Sequence, residues 1–373
     1  MYIEKKSGNQ MTEKIDIRKI DKAMDFEEKT FDGMDWYSAD DKPFKLDGLY
    51  WRKKGGVFRR LPKSVKISEG VDSLAWKTAG AMLRFRTDAA EIRVSAAMWY
   101  NSRMDHMALV GSMGFDLYVG SGTDKIYYGS SRFDAAKDEY NVTVFKNEHE
   151  RKIREFTLHF PLYSGVEKFS IGLSEGAKVY PPSPWNDDRP IVVYGTSIQQ
   201  GGCASRPGMC HTNILSRKLN RPFINLGFSG SGKGEPEMAH TIASIKNPAM
   251  IILDYDANAQ SDGLKKTLST FTDIIREKHP EVPILLVSKL PYAYEFHGDM
   301  QYDAERIALT SIHIGEVQRR RAMGDKNIHF LDGMTLYGAD PSECTVDGCH
   351  ATDLGFYMIA KNMEAVIRNI LKK

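Results

Sequence analysis

A chain of 373 residues is long for one domain, so two are expected. Its 51 basic and 49 acidic residues leave a formal charge of +2, and neither sign dominates any long stretch, which argues against nucleic acid or an acidic membrane surface as a partner. No apolar run approaches the roughly 18 residues of a membrane span, and the charged N-terminus lacks the apolar core of a signal peptide, so a cytoplasmic protein with no membrane partner is expected.

Residues 1–44 read as an N-terminal extension. From 45 to 178 the chain is a series of short aromatic or β-branched segments: 81–87, 90–99, 115–120, 125–130, 140–145, 154–162 and 167–174. Several alternate apolar with polar and end in Gly, Asp, Asn or Ser. Even spacing with no intervening helix predicts an antiparallel β-sandwich of jelly-roll type, with Trp99, Tyr118 and Tyr127 in its core. The stretch YPPSPWNDDRP (180–190) holds four prolines and two aspartates. Proline removes backbone donors and restricts its neighbours, so 179–190 reads as an ordered linker. Trp185 within it either packs the two domains together or forms a wall on which a sugar stacks.

After the linker the period changes. Apolar strands at 191–194, 223–228, 249–255, 283–288 and 328–332 alternate with helical segments at about 209–220, 235–246, 262–279, 301–323 and 353–372. Continuous apolar strands separated by helices predict a five-stranded parallel sheet covered on both faces, a doubly wound, flavodoxin-like α/β domain over 191–373. Ligands bind beyond the carboxyl ends of such strands. Those ends carry GTS (195–197), NLGFSGSGKG (225–234), DYDAN (254–258) and a last loop containing Asp347 and His350.

Ser197 admits three readings: a plain turn serine, part of a phosphate-cradling loop, or a nucleophile. The phosphate reading fails because GTSIQQGG lacks the lysine of a P-loop. A nucleophile elbow of G-x-S-x-G form fails at Gln199. Acyl transfer, by contrast, needs the set that the fold rule collects. His350 is the candidate base for the Ser197 hydroxyl, and Asp347 can orient it. The Ser197 and Gly230 amides and the Asn258 side chain are candidate oxyanion donors. Arg206 in CASRPG and His297 in AYEFHGD, with Trp185, are candidates to contact substrate. Asp254 and Asp256 read as structural. The cysteines form two close pairs, Cys203 with Cys210 and Cys344 with Cys349, lacking C-x-x-C spacing or a histidine cluster, so thiols are expected, with no metal and no cofactor.

In this light the second half resembles the SGNH (GDSL) hydrolase superfamily, whose four blocks match Ser197, Gly230, Asn258 and His350 in order. Asp347 fits the family's D-x-x-H. Two blocks depart: Thr196 stands where Asp is usual, and Ala259 where a companion Asp follows the Asn. Both departures, with GFDLYV (114–119), RRLP (59–62) and RFRTD (84–88), are similar to a two-domain bacterial esterase branch with an N-terminal β-sandwich. The resemblance implies an SGNH hydrolase fold and a serine esterase that removes O-acetyl groups from a glycan or oligosaccharide. Acyl transfer by the same residues, lipase or thioesterase chemistry, and a glycan-binding pair without turnover are the alternatives. Exposed sandwich edges admit a homodimer.

Overall fold

The computed structural model describes residues 2–5, 13–16, 33–99, 101–147, 149–296 and 304–372. Strands β1 (Tyr2–Lys5) and β2 (Glu13–Asp16) form an antiparallel pair. The sandwich strands follow in chain order: β3 (Met34–Tyr37), β4 (Lys45–Asp47), β5 (Met82–Thr87), β6 (Glu91–Trp99), β7 (Asp116–Val119), β8 (Ile126–Ser130), β9 (Glu139–Lys146), β10 (Arg154–His159), β11 (Gly165–Ser174) and β12 (Val179–Tyr180). One sheet has the order β12-β5-β10-β7-β8, with β4 also on β5; the other has β3-β11-β6-β9. Leu83, Phe85, Leu117, Phe156 and Leu158 of the first sheet share an apolar core with Ile92, Val94, Ile171 and Leu173 of the second. The antiparallel sandwich is as expected, and β3 shows that residues ahead of 45 contribute to it. Two short helices, α1 (Glu69–Leu74) and α2 (Leu109–Met113), break the expected unbroken strand series. Each is too short for helical periodicity to emerge, and the one sequence cue is the Ser68 cap ahead of Glu69.

The second half is a parallel sheet of order β14-β13-β15-β16-β17, made of β13 (Ile191–Gly195), β14 (Phe223–Gly227), β15 (Met250–Asp254), β16 (Ile284–Val287) and β17 (Ile328–Leu331). Helices α3 (Ser197–Gln200), α4 (His211–Leu219), α5 (Pro236–Ala243), α6 (Asp256–Lys278), α7 (Ala304–Ala322) and α8 (Asp353–Leu371) complete it. Every residue of β13 to β16 is buried, because helices cover both faces. Ile191 and Val193 pack with α4 and α8, Val192 and Tyr194 with α5, α6 and α7. The chain winds from β13 to one neighbour, β14, and then crosses to the other, β15, so the ends of β13 and β15 flank the switch point where ligands bind. Helix α6 starts at Asp256 rather than near 262, since Gln260, at φ 56°, kinks two helical pieces that the sequence pattern separates. No helix among the described residues is long and apolar enough to cross a membrane.

The period of two along β7 places Leu117 in the sandwich core and Asp116 and Tyr118 on the opposite face, against the parallel-sheet domain. There the fully buried Asp116 carboxylate accepts hydrogen bonds from Arg206 Nη1 at 2.8 Å and from the Gly208 amide at 2.8 Å. His159 Nδ1 lies 2.9 Å from its other oxygen. Burial opposes this charge, but His159 and the guanidinium groups of Arg206 and Arg217 outweigh it and hold the carboxyl below its ordinary range. Arg206 also donates to the Tyr118 hydroxyl at 2.6 Å and lies 3.8 Å from the Tyr127 ring centre. Tyr118 is therefore an interface residue rather than part of the sandwich core, and Tyr127 is an exposed one carrying a guanidinium.

A second latch is Arg60 of RRLP. It donates to the carbonyls of Gly227 (2.6 Å), Lys77 (2.9 Å) and Leu74 (2.9 Å), and lies over the Phe228 ring. Trp185 is 8% exposed, with Arg84 stacked 3.7 Å above its centre, so the linker tryptophan is sealed into the sandwich-side packing and offers no wall to a sugar.

Candidate active site

Ser197 opens α3 directly after the buried strand β13, and Thr196 is its N-cap. Thr196 fills the position where the resemblance leads one to expect Asp, and the structure shows how it serves. Its hydroxyl caps the Ile198 amide and donates to Gln199 Oε1 at 2.8 Å, while that same oxygen accepts the Thr196 amide at 2.9 Å. This reciprocal pair is a capping box, and it fixes the entry angle of the turn. Gln199 Nε2 then donates to buried Asp254 at the end of β15, whose carboxyl is pushed up by burial and by Asp256. The residue that breaks the elbow pattern thus ties the Ser197 turn to the neighbouring strand. Gly201 ends α3 at φ 100°, and a Cβ there would meet Leu162, so the chain can reverse only with glycine.

The last loop delivers Asp347 and His350. Asp347 Oδ1 accepts the amides of Cys349 (3.0 Å) and His350 (2.7 Å), an Asx-type turn that swings the His350 ring back over the same carboxylate. Its Oδ2 takes His350 Nδ1 at 2.7 Å, and His350 Nε2 lies 2.8 Å from Ser197 Oγ. The carboxylate partner places the proton on Nδ1 and leaves Nε2 as acceptor for the serine hydroxyl. Burial works against the Asp347 charge, yet the His350 ring and the two amides outweigh it and hold the carboxyl at about 2. The Asp353 carboxylate at the start of α8 receives the Ser205 amide at 2.9 Å and ties this end of the chain to the turn after Ser197.

Gly230 sits in the loop after β14 at φ 65°, with open space where a Cβ would stand. Glycine is needed there for the backbone, not for lack of room. Asn258, in the first turn of α6, donates to the Phe228 carbonyl at 3.3 Å, which joins the third sequence block to the second and leaves its other N–H for a ligand. Four sequence blocks are thereby collected at one crevice. Arg206, committed to the interface, and Trp185, packed on the sandwich side, are not in it. His297 lies outside the described residues. Asp256, as a structural residue, accepts the Lys289 amide and His313.

Two residues at the site have no cue in the sequence. His106, on a sandwich loop, brings its ring centre 5.8 Å from that of His350, and its Nε2 is 4.0 Å from Asp347. Tyr163, after β10, donates to the Ser197 carbonyl at 3.2 Å. Both are separated from the blocks by a domain boundary, and only the interface could reveal them. Cys203 also borders the crevice. Burial, then the Asp347 charge, pushes its thiol up to about 12, and all four cysteines are free.

A profile of the GDSL-like lipase/acylhydrolase family matches residues 188–368, and one for the N-terminus of SGNH-hydrolase-type esterases, named for its GxDLY motif, matches residues 34–179. A Bacteroides ovatus protein described as a GDSL-like lipase is 28% identical, over 91% of this chain and 98% of its own, with a TM-score of 0.81. The salicylyl-acyltransferase SsfX3, from a tetracycline biosynthetic pathway, is 19% identical over 91% and 99%, with a TM-score of 0.70. A family two carbohydrate esterase from Cellvibrio japonicus is 14% identical over 91% and 98%, with a TM-score of 0.59. At these identities the last two share a fold with the chain. No curated protein sequence matches it.

Proposed function

The chain belongs to the GDSL-like lipase/acylhydrolase family, a family of ester hydrolases, and from that premise we propose a serine esterase that removes acetyl groups from an oligosaccharide. The observation that carries the mechanism is the unbroken Ser197–His350–Asp347 chain, with contacts of 2.8 and 2.7 Å. Ser197 Oγ attacks the ester carbonyl as its proton passes to His350 Nε2, and Asp347 stabilises the imidazolium. The tetrahedral oxyanion is held by the Ser197 amide, the Gly230 amide and Asn258. The Ser197 amide is a first-turn N–H that its helix leaves without an acceptor four residues back. Nε2 returns the proton to the departing alcohol. Water, deprotonated by the same nitrogen, then releases the acid and frees Ser197. No step calls for a metal or a cofactor.

Two features support the substrate reading. Gly202 is close-packed between Tyr163 and His350, since a Cβ there would lie 2.7 Å from the phenol oxygen, and this favours a short acyl group. The side chains of His350 and Asp347 are 25% and 33% exposed, so water reaches the acyl-enzyme and hydrolysis is favoured over transfer to another alcohol. In this reading the chain divides at 179–190 into a sandwich domain and a catalytic domain. The former grips the catalytic loops and performs no chemistry. Acid release from acetylated oligosaccharides and from aryl acetate, butyrate and octanoate tests the proposal. Rates should fall steeply with acyl length, and faster octanoate than acetate turnover overturns the acetyl assignment. Asn258→Ala should lower kcat by about 10²–10³-fold with KM little changed. An unaltered kcat removes Asn258 from the oxyanion site.

A further inference from the structure

The crevice carries a second set of donors that ester hydrolysis does not use. His106, Cys203 and His350 each offer one ligand atom, and these atoms lie within 4.8 Å of one another. They come from a sandwich loop, the turn after the nucleophile and the catalytic loop. Each histidine has a carboxylate on its Nδ1, Asp347 for His350 at 2.7 Å and Asp105 for His106 at 3.0 Å. A carboxylate on one imidazole nitrogen orients the other nitrogen and raises its basicity, the arrangement found around metal-bound histidines. Cys203 is held at φ 74°, a left-handed conformation that strains a side-chain-bearing residue. The surrounding fold keeps a thiol there despite that strain.

We propose that His106 Nε2, Cys203 Sγ and His350 Nε2 form an inhibitory site for one soft transition-metal ion of the zinc type. Two imidazoles and a thiolate are three of the four ligands of a tetrahedral zinc, and water takes the fourth place. Ligand atoms around such an ion stand about 3.3–3.6 Å apart, so side-chain movements of about 1 Å close the set. On binding, the Cys203 thiol releases its proton to solvent and no redox change occurs. Hard, oxygen-seeking Mg²⁺ and Ca²⁺ do not suit these donors. The ion occupies the Nε2 lone pair that must accept the Ser197 proton, so a loaded enzyme cannot form the acyl intermediate. The inhibition, though not the binding, rests on His350 being the base.

Binding and inhibition are therefore measured apart. Ser197→Ala, which keeps all three ligands, is titrated with Zn²⁺ by calorimetry, alone and combined with Cys203→Ser or His106→Gln. One equivalent should bind, and each added substitution should weaken binding at least tenfold. Co²⁺ in place of Zn²⁺ should give a thiolate charge-transfer band that Cys203→Ser abolishes. In the active enzyme Zn²⁺ should block aryl acetate hydrolysis until a chelator is added, with Mg²⁺ and Ca²⁺ inert. Each of Cys203→Ser and His106→Gln, compared with its own metal-free rate, should resist Zn²⁺ at least tenfold better than the wild type. Absent binding, or affinity unchanged in both variants, overturns the site and leaves the esterase reading intact. Binding with undiminished turnover overturns the inhibition and His350 as a ligand, while the metal-free rate of His350→Ala tests its role as base independently.

Discussion

Ser197→Ala should release acetate from an aryl acetate roughly 10⁶-fold more slowly than the wild type while unfolding at the same temperature. Loss of the nucleophile in a coupled triad typically costs that much, because the remaining partners have no group to activate. Stability should hold because the Oγ contact is to a histidine that is itself one-quarter exposed, and the turn is fixed by Thr196 and Gln199 rather than by the hydroxyl. Asp347→Asn should cost about 10⁴-fold through the wrong imidazole tautomer. Single-turnover assays with burst detection separate the two variants. Wild-type rates for Ser197→Ala would falsify the nucleophile assignment, and full activity in Asp347→Asn would point to a Ser–His dyad.

The largest effect on stability is expected at Asp116. Asp116→Ala removes the acceptor for Arg206 and for the Gly208 amide, and the partner of His159, in a fully buried setting. Leaving a partly buried cation without its counter-charge typically costs about 3–5 kcal/mol, far above the 0–1 kcal/mol of an exposed pair. Urea denaturation should show a loss of that size, with turnover reduced as well, because the loop released from Asp116 continues from α3, which carries Ser197. A loss below about 1 kcal/mol would mean that Arg60 and the apolar contacts hold the domains together unaided. A conservative Asp116→Asn should fall between, since it keeps an acceptor oxygen but not the charge.

The parallel strands were legible because each is an apolar run, which only a sheet covered on both faces permits. Ser197, Gly230, Asn258, Asp347 and His350 were legible because the ends of such strands converge whatever lies between them. What the interface does was not. Alternation along GFDLYV separates Leu117 from Asp116 and Tyr118, but periodicity does not say what covers the outer face. Arg206 therefore read as a substrate contact, and Trp185 as a candidate wall. His106 was invisible for the same reason: its neighbours at the crevice come from the other domain. The short helices α1 and α2 escaped because a single turn has no period to detect.

The double use of Asp347 has an engineering consequence. One oxygen sets the backbone of Asp347-Gly348-Cys349-His350 and the other sets the imidazole, so four consecutive residues carry their own alignment. Such a tetrapeptide behaves as a portable cassette. The exposed stretch 338–343 upstream of it can be exchanged without retuning this tetrapeptide, provided Tyr337 and Cys344 stay in the core, the Val346 amide keeps the His350 carbonyl, and α8 keeps the cassette docked through Asp353 and Ser205.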